Sequence, residues 1–235
     1  MRRNTVSYPK NQCGQALFEY LLIIVLGVLV SVGGLSALGV DLQKVYTKIS
    51  NSLAGQNATL FSDNFSNLSG WQNIYGHNIW SAAGGVLSAI ASGDSRFMAS
   101  ANLPNDYQVN LDSAQLLSGN GYGVMFRLNK SGNNYAGYSF QLDPGYGNKF
   151  VFRRFDTNGN ELGTPLAVGS PPAGFNFSAD HKVSVSVVGN TFKAYVDNVQ
   201  VLAATDSTYS SGAAGLRVWD STSTNFSGFN VTQAN

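Results

Sequence analysis

Residues 20–40 run for 21 positions without a formal charge, within the apolar stretch CGQALFEYLLIIVLGVLVSVGG and its continuation. At 1.5 Å per residue, a helix of that length spans a hydrocarbon core of about 30 Å. Beyond it, Leu42, Val45, Ile49 and Leu53 recur at helical spacing, so the period predicts one helix from residue 15 to about residue 54. Basic residues Arg2, Arg3 and Lys10 precede the run. The positive-inside rule therefore keeps the N-terminal leader cytoplasmic and sends the rest of the chain across.

From residue 57 onward the composition shifts to Gly, Asn, Ser, Tyr and Phe in short alternating runs. In HKVSVSVV, Val183, Val185 and Val187 alternate with Lys182, Ser184 and Ser186. Gly189-Asn190 and Asp197-Asn198 then punctuate TFKAYV and VQVLAA, which reads as an antiparallel meander. Similar runs recur in YGVMFRLN, YAGYSFQLD, KFVFRRFD, GLRVW and FSGFNV. About twelve such strands with no helical period predict an all-β sandwich of jelly-roll type. The expected fold class is α+β: a long N-terminal α-helix followed by that sandwich. The expected segments are a leader at 1–14, an apolar helix at 15–54, a linker at 55–60 and the β domain at 61–235.

The charge balance excludes some partners. The chain carries 14 Lys and Arg against 13 Asp and Glu, a net +1. Such a surface has no excess with which to hold a nucleic acid. A single Cys, Cys13, excludes an intrachain disulfide framework.

Glu19 is one of only two glutamates, and it lies inside the apolar run. An unpaired carboxylate there costs several kcal/mol, so it needs a cation. The segment Gly14-Gln15-Ala-Leu-Phe-Glu19-Tyr20 resembles the processing site of type IV pilins, most closely those of the Flp/Tad class. That resemblance implies cleavage after Gly14 by a prepilin peptidase and Gln15 as the new N-terminus. It further implies that Glu19 and Tyr20 guide filament assembly. The new α-ammonium at Gln15 would lie four positions before Glu19, on the same helix face. The implied partners are further copies of the chain, the peptidase, the assembly machinery and, before assembly, the inner membrane. The implied location is the cell surface, in an extracellular pilus whose precursor sits in the cytoplasmic membrane. A surface lectin that does not polymerise, a minor pilin or pseudopilin, and an anchored glycan hydrolase stand as alternatives.

The order of runs in the β domain resembles concanavalin A-like jelly rolls of the LamG and laminarinase-like superfamily. This fold hosts lectins, hydrolases and spacers. Glycoside hydrolysis uses two facing carboxyl groups, and no second carboxylate stands at strand spacing to Asp143 or Asp156. An enzyme is therefore not expected. For glycan binding, alternation on YSFQLD turns Gln141 and Asp143 away from Tyr138, Phe140 and Leu142. On VMFRLN it turns Arg127 away from Val124 and Phe126. With Arg153 from the next strand, these polar groups form a candidate sugar face. Tyr122, Tyr146 and Trp219 are the candidate stacking aromatics. No cofactor is expected beyond a structural calcium, for which Asp63, Asp94 and Asp143 are the available oxygen donors.

Overall fold

A computed structural model describes residues 58–234. They belong to the second of two compact units, Asn57–Asn235. Fifteen strands are described: β1 (Thr59–Asp63), β2 (Trp71–Tyr75), β3 (Trp80–Ala83), β4 (Val86–Ile90), β5 (Ser95–Ala99), β6 (Tyr107–Ser118), β7 (Tyr122–Ser131), β8 (Asn134–Asp143), β9 (Lys149–Phe155), β10 (Ala167–Gly169), β11 (Asp180–Val188), β12 (Thr191–Val196), β13 (Val199–Thr205), β14 (Ala213–Val218) and β15 (Ser223–Gln233). They form two antiparallel sheets. The first has the order β13-β12-β11-β6-β15-β4-β3, with β1 also on β15, and the second β10-β9-β8-β7-β14-β5-β2.

The α+β expectation is corrected here. The described residues are all-β, a jelly-roll sandwich with no α-helix and one 3-10 turn at Pro144–Tyr146. The physical reason is visible in the segments themselves. Past residue 57 the apolar residues recur every second position, and turn residues interrupt them too often for a helix to propagate. The helix expected over 15–54 lies outside the described residues, as do the leader and the assembly positions Gly14, Gln15, Glu19 and Tyr20. Among the described residues no helix is long and apolar enough to cross a membrane.

The meander read in the sequence is present as β11, β12 and β13. Asp197 and Asn198 both take positive φ, 51° and 65°, as a two-residue type I′ hairpin turn requires. The core between the sheets is aromatic. Phe126, Tyr138, Phe152 and Phe192 pack at one end, and Trp71, Trp80, Phe97 and Phe229 at the other.

The two sheets differ on their outer faces. On β11 the buried positions His181, Val183, Val185 and Val187 alternate with more exposed ones, the pattern of a sheet with one wet side. On β8, every residue from Ala136 to Asp143 is buried. The second sheet is therefore covered on both sides along β8, and its outer side carries buried polar residues beside a small apolar cluster of Met125, Leu128 and Phe155.

Candidate functional site

Strand alternation carries Ser139, Gln141 and Asp143 of β8 onto the outer face of the second sheet, opposite Tyr138, Phe140 and Leu142. Register pairs Ser139 with Arg153 on β9. On β14, Leu216 and Val218 enter the core, which leaves Arg217 on the outer side. Arg217 pairs in register with Arg96 on β5. The face thus collects three arginines.

Two loops bring the carboxylates. Asp94 ends the loop between β4 and β5. Its oxygens accept from Arg217 Nε at 2.8 Å and Nη2 at 3.1 Å, and from Arg96 Nη2 at 2.6 Å. Gly76, at φ 68°, lets the β2–β3 turn press on this loop, since a Cβ there would stand 2.0 Å from the Asp94 carbonyl oxygen. The second loop leaves the end of β9. Asp156 accepts from the backbone N–H groups of Asn158 and Asn160, and this turn returns Glu161 opposite Phe155. Glu161 meets Arg217 and lies 3.1 Å from Arg153 Nε. Gln141 Nε2 also donates to it at 3.2 Å.

These contacts need a curved sheet and an arching loop. In the sheet order β9 and β5 are four steps apart, which is about 19 Å at ~4.8 Å per step. Yet the Arg96 guanidinium carbon lies 4.3 Å from the ring centre of Phe155, and Arg96 donates to the Gly159 carbonyl at 2.8 Å. The outer face is a trough bridged near one end.

Aromatic rings line the polar part. The guanidinium of Arg96 also lies over Tyr75 at 4.1 Å, Arg217 over Trp219 at 4.7 Å, and Arg153 over Tyr146 at 4.6 Å. Such contacts hold the planar cations in fixed positions.

Depth orders the charges. The side chains of Arg96, Arg153 and Arg217 are 3%, 7% and 8% exposed, whereas those of Asp94 and Glu161 are 21% and 26% exposed. The arginines form a floor and the carboxylates lie above it. Burial alone would raise the Asp94 carboxyl, but Arg217 and Arg96 outweigh it and hold the group below the usual carboxylate range. Burial would likewise lower the Arg217 guanidinium, but Asp94 and Glu161 raise it. Asp143 behaves oppositely. Burial pushes it up to about 6 despite the N–H of Tyr146, and Glu161 adds to the rise against Arg153 and Arg217. Gln141 Oε1 is buried and finds no hydrogen-bond partner among the described residues.

Of the residues expected from the sequence, Gln141, Asp143, Arg153, Tyr146 and Trp219 come together on this face. Arg127 and Tyr122 do not. The β7–β8 register shifts between Phe126 and Asn129, and Arg127 has φ 49°. This bulge turns the side chain away from the trough. Its guanidinium donates to the carbonyls of Tyr209, Asn105 and Gly189 at 2.9, 3.3 and 2.5 Å. Tyr122 is fully buried, donates to the Ala114 carbonyl and packs edge-on to Phe226. The expected calcium donors do not converge. Asp63 accepts from Phe65 N–H and Trp71 Nε1, Asp94 holds two arginines, and Asp143 caps the 3-10 turn. Among the described residues no three His, Cys, Asp or Glu side chains are grouped to hold a metal.

Sequence reasoning did not place Arg96, Arg217 or Glu161 in the site. Arg217 carried a signal, since its neighbours in GLRVW alternate around it. Glu161 carried a weaker one, the turn-forming Asp156-Thr-Asn-Gly-Asn that returns the chain directly after a strand.

Known proteins share this architecture. The chain is 30% identical over 160 residues to a levanase from Bacillus subtilis (strain 168), a match covering 67% of this chain and 22% of the levanase. The chain thus spans about a fifth of that relative. Carbohydrate-binding module CBM66 from Bacillus subtilis superposes with a TM-score of 0.59 at 24% identity, over 71% of this chain and 98% of the module. The exoplasmic/lumenal domain of VIP36, in its Ca2+/Man3GlcNAc-bound form, superposes with a TM-score of 0.55 at 11% identity, over 74% and 88% of the two chains. The structural likenesses show the jelly-roll fold expected from the sequence. Residues 57–230 match the family model of the 3-keto-alpha-glucoside-1,2-lyase-like domain, and the chain belongs to that family.

Proposed function

We propose that the β domain binds a neutral carbohydrate on the outer face of its second sheet, at the cell surface, and that a fructan of the levan type is its ligand. The layering of charge carries this reading. The groups nearest solvent are the acceptors Asp94 and Glu161, and the arginines that orient them lie beneath. Such a surface offers acceptors to hydroxyl donors, and its arginines are already engaged by Asp94 and Glu161 rather than left for an acidic sugar. The exposed ring of Tyr146 supplies a wall for the apolar face of a sugar ring, and the buried ring of Trp219 backs Arg217 beneath it. The levanase match supports the choice of levan.

Titration calorimetry of the full-length chain against levan tests it, with a uronic-acid polysaccharide as the control. Saturable binding to levan alone supports the reading. No binding to levan overturns it, and so does equal binding to the acidic polymer.

An anchored glycan hydrolase is a second reading, favoured by one observation. Asp143 is held at about 6, within electrostatic reach of Glu161, and a carboxyl that keeps its proton toward neutral pH is what general acid catalysis uses. Reducing sugar released from levan, and abolished in Asp143→Asn, would establish it.

The comparisons favour a carbohydrate-binding protein over a filament subunit. The filament reading rests on the motif at Gly14–Tyr20. Intact mass of the surface protein tests that motif: a chain beginning at Gln15 supports processing, and a chain beginning at Met1 removes it.

A further inference from the structure

We infer that the same face holds a second subsite, beyond the arginine floor, that grips the continuing sugar chain, so that affinity grows with ligand length. This inference rests on the carbohydrate reading above. A groove of about 490 Å³ lies on the second sheet, lined among others by Gln72, Met98, Leu128, Lys130, Tyr135 and Ala213. No ion pair of the charged cluster reaches into it.

The groove and the charged cluster share one floor. Met125, Leu128 and Phe155 form a small buried apolar cluster on the outer side of the sheet, with Ile74, Met98 and Ala213 packed against it. Phe155 is the junction, because Arg96 and Arg217 both lie over its ring, at 4.3 and 4.9 Å. Leu128, Met98 and Ala213 continue that floor into the groove. Along β14, Ala213 stands four residues from Arg217, about 13 Å at ~3.3 Å per residue. That separation is a few sugar units, not one, so a chain end held at Asp94 and Glu161 would lead its following units into the groove.

The lining suits those units. Sugar rings present apolar C–H faces and a polar rim. Met98, Leu128 and Ala213 give an apolar floor, Tyr135 a half-buried aromatic wall, and Gln72 and Lys130 exposed polar ends. Tyr135 pairs with Lys130 across the β7–β8 hairpin, so wall and cation sit side by side on one rigid element.

The test is calorimetry of the full-length chain with fructose and with levan oligomers of increasing length. The oligomers are expected to bind about tenfold tighter than fructose, the equivalent of one good aromatic contact. Tyr135→Ala should remove that gain and leave fructose affinity unchanged. Ala213→Phe, which fills the groove from its floor, should do the same. Equal affinity for fructose and oligomers in the wild type overturns the subsite and leaves the carbohydrate reading standing. Equal losses for both ligands in both variants also overturn it. Absence of binding to fructose and to every oligomer defeats both readings together.

Discussion

Asp94 and Arg217, 123 positions apart, meet through two side-by-side hydrogen bonds of 2.8 and 3.1 Å. The pair ties a loop of the first third of the β domain to one of its last strands. Such fork-like pairing fixes direction as well as distance. Arg217 has little access to water, so its charge depends on Asp94 and Glu161. Removing one partner of a buried pair costs about 3 kcal/mol or more. Asp94→Ala is therefore expected to lose about that much stability in urea denaturation. Levan affinity should fall with it, read by calorimetry on the variant held well below its melting temperature.

Asp143 predicts a pH dependence of defined sign. Its folded-state value of about 6 lies above the ordinary 3.8. Between those values the folded chain keeps a proton that the unfolded chain has released. Asp143 therefore favours the fold in acid, and that contribution is lost as pH rises through about 6. Asp143→Asn keeps the acceptor for the Tyr146 N–H but carries no titrating proton. Relative to wild type, the variant should gain stability as pH rises from about 4 to about 7. Paired melting curves across that range check this, and parallel curves would refute it.

Arg127 predicts a separation of stability from binding. Its three carbonyl contacts tie together the segments at Asn105, Gly189 and Tyr209. Arg127→Leu leaves those carbonyls unmatched and should cost roughly 3 kcal/mol. Levan affinity should not change, because the side chain does not reach the trough. A variant that loses binding while keeping its melting temperature would contradict the assignment.

Gly76 couples a turn to the site. Its φ of 68° is strained for any residue with a Cβ, and that atom would collide with the Asp94 carbonyl. Gly76→Ala should cost about 2 kcal/mol. It should also weaken levan binding, since the loop that carries Asp94 must move. Calorimetry beside thermal melting reads both effects.

The sheets were more legible in the sequence than the site. The valines of β11 and the Asp197-Asn198 turn follow from local rules, as does the orientation of Gln141 and Asp143 on β8. Tyr122, expected as a stacking aromatic, shares the parity of Val124 and Phe126 and lies with them in the core. Arg127 failed for a different reason. A β-bulge adds a residue to one strand and reverses the alternation beyond it, and no residue type in VMFRLN announces it. The carboxylates failed because spacing along one strand was the wrong test. Asp94, Asp143 and Glu161 arrive from three separate segments, joined only by sheet curvature and two loops. The apolar segment before residue 58 drew the class toward α+β, whereas the described residues follow strand periodicity throughout.

Strand β15 lies in the interior of the first sheet, between β6 and β4, with β1 also on it. Residues 223–233 thus supply the ladder that joins the halves of that sheet. A nascent chain emerging from the ribosome has no way to complete the sandwich until those residues have left the tunnel. Until then β6 and β4 have no strand between them, and the inner face of the first sheet stays uncovered.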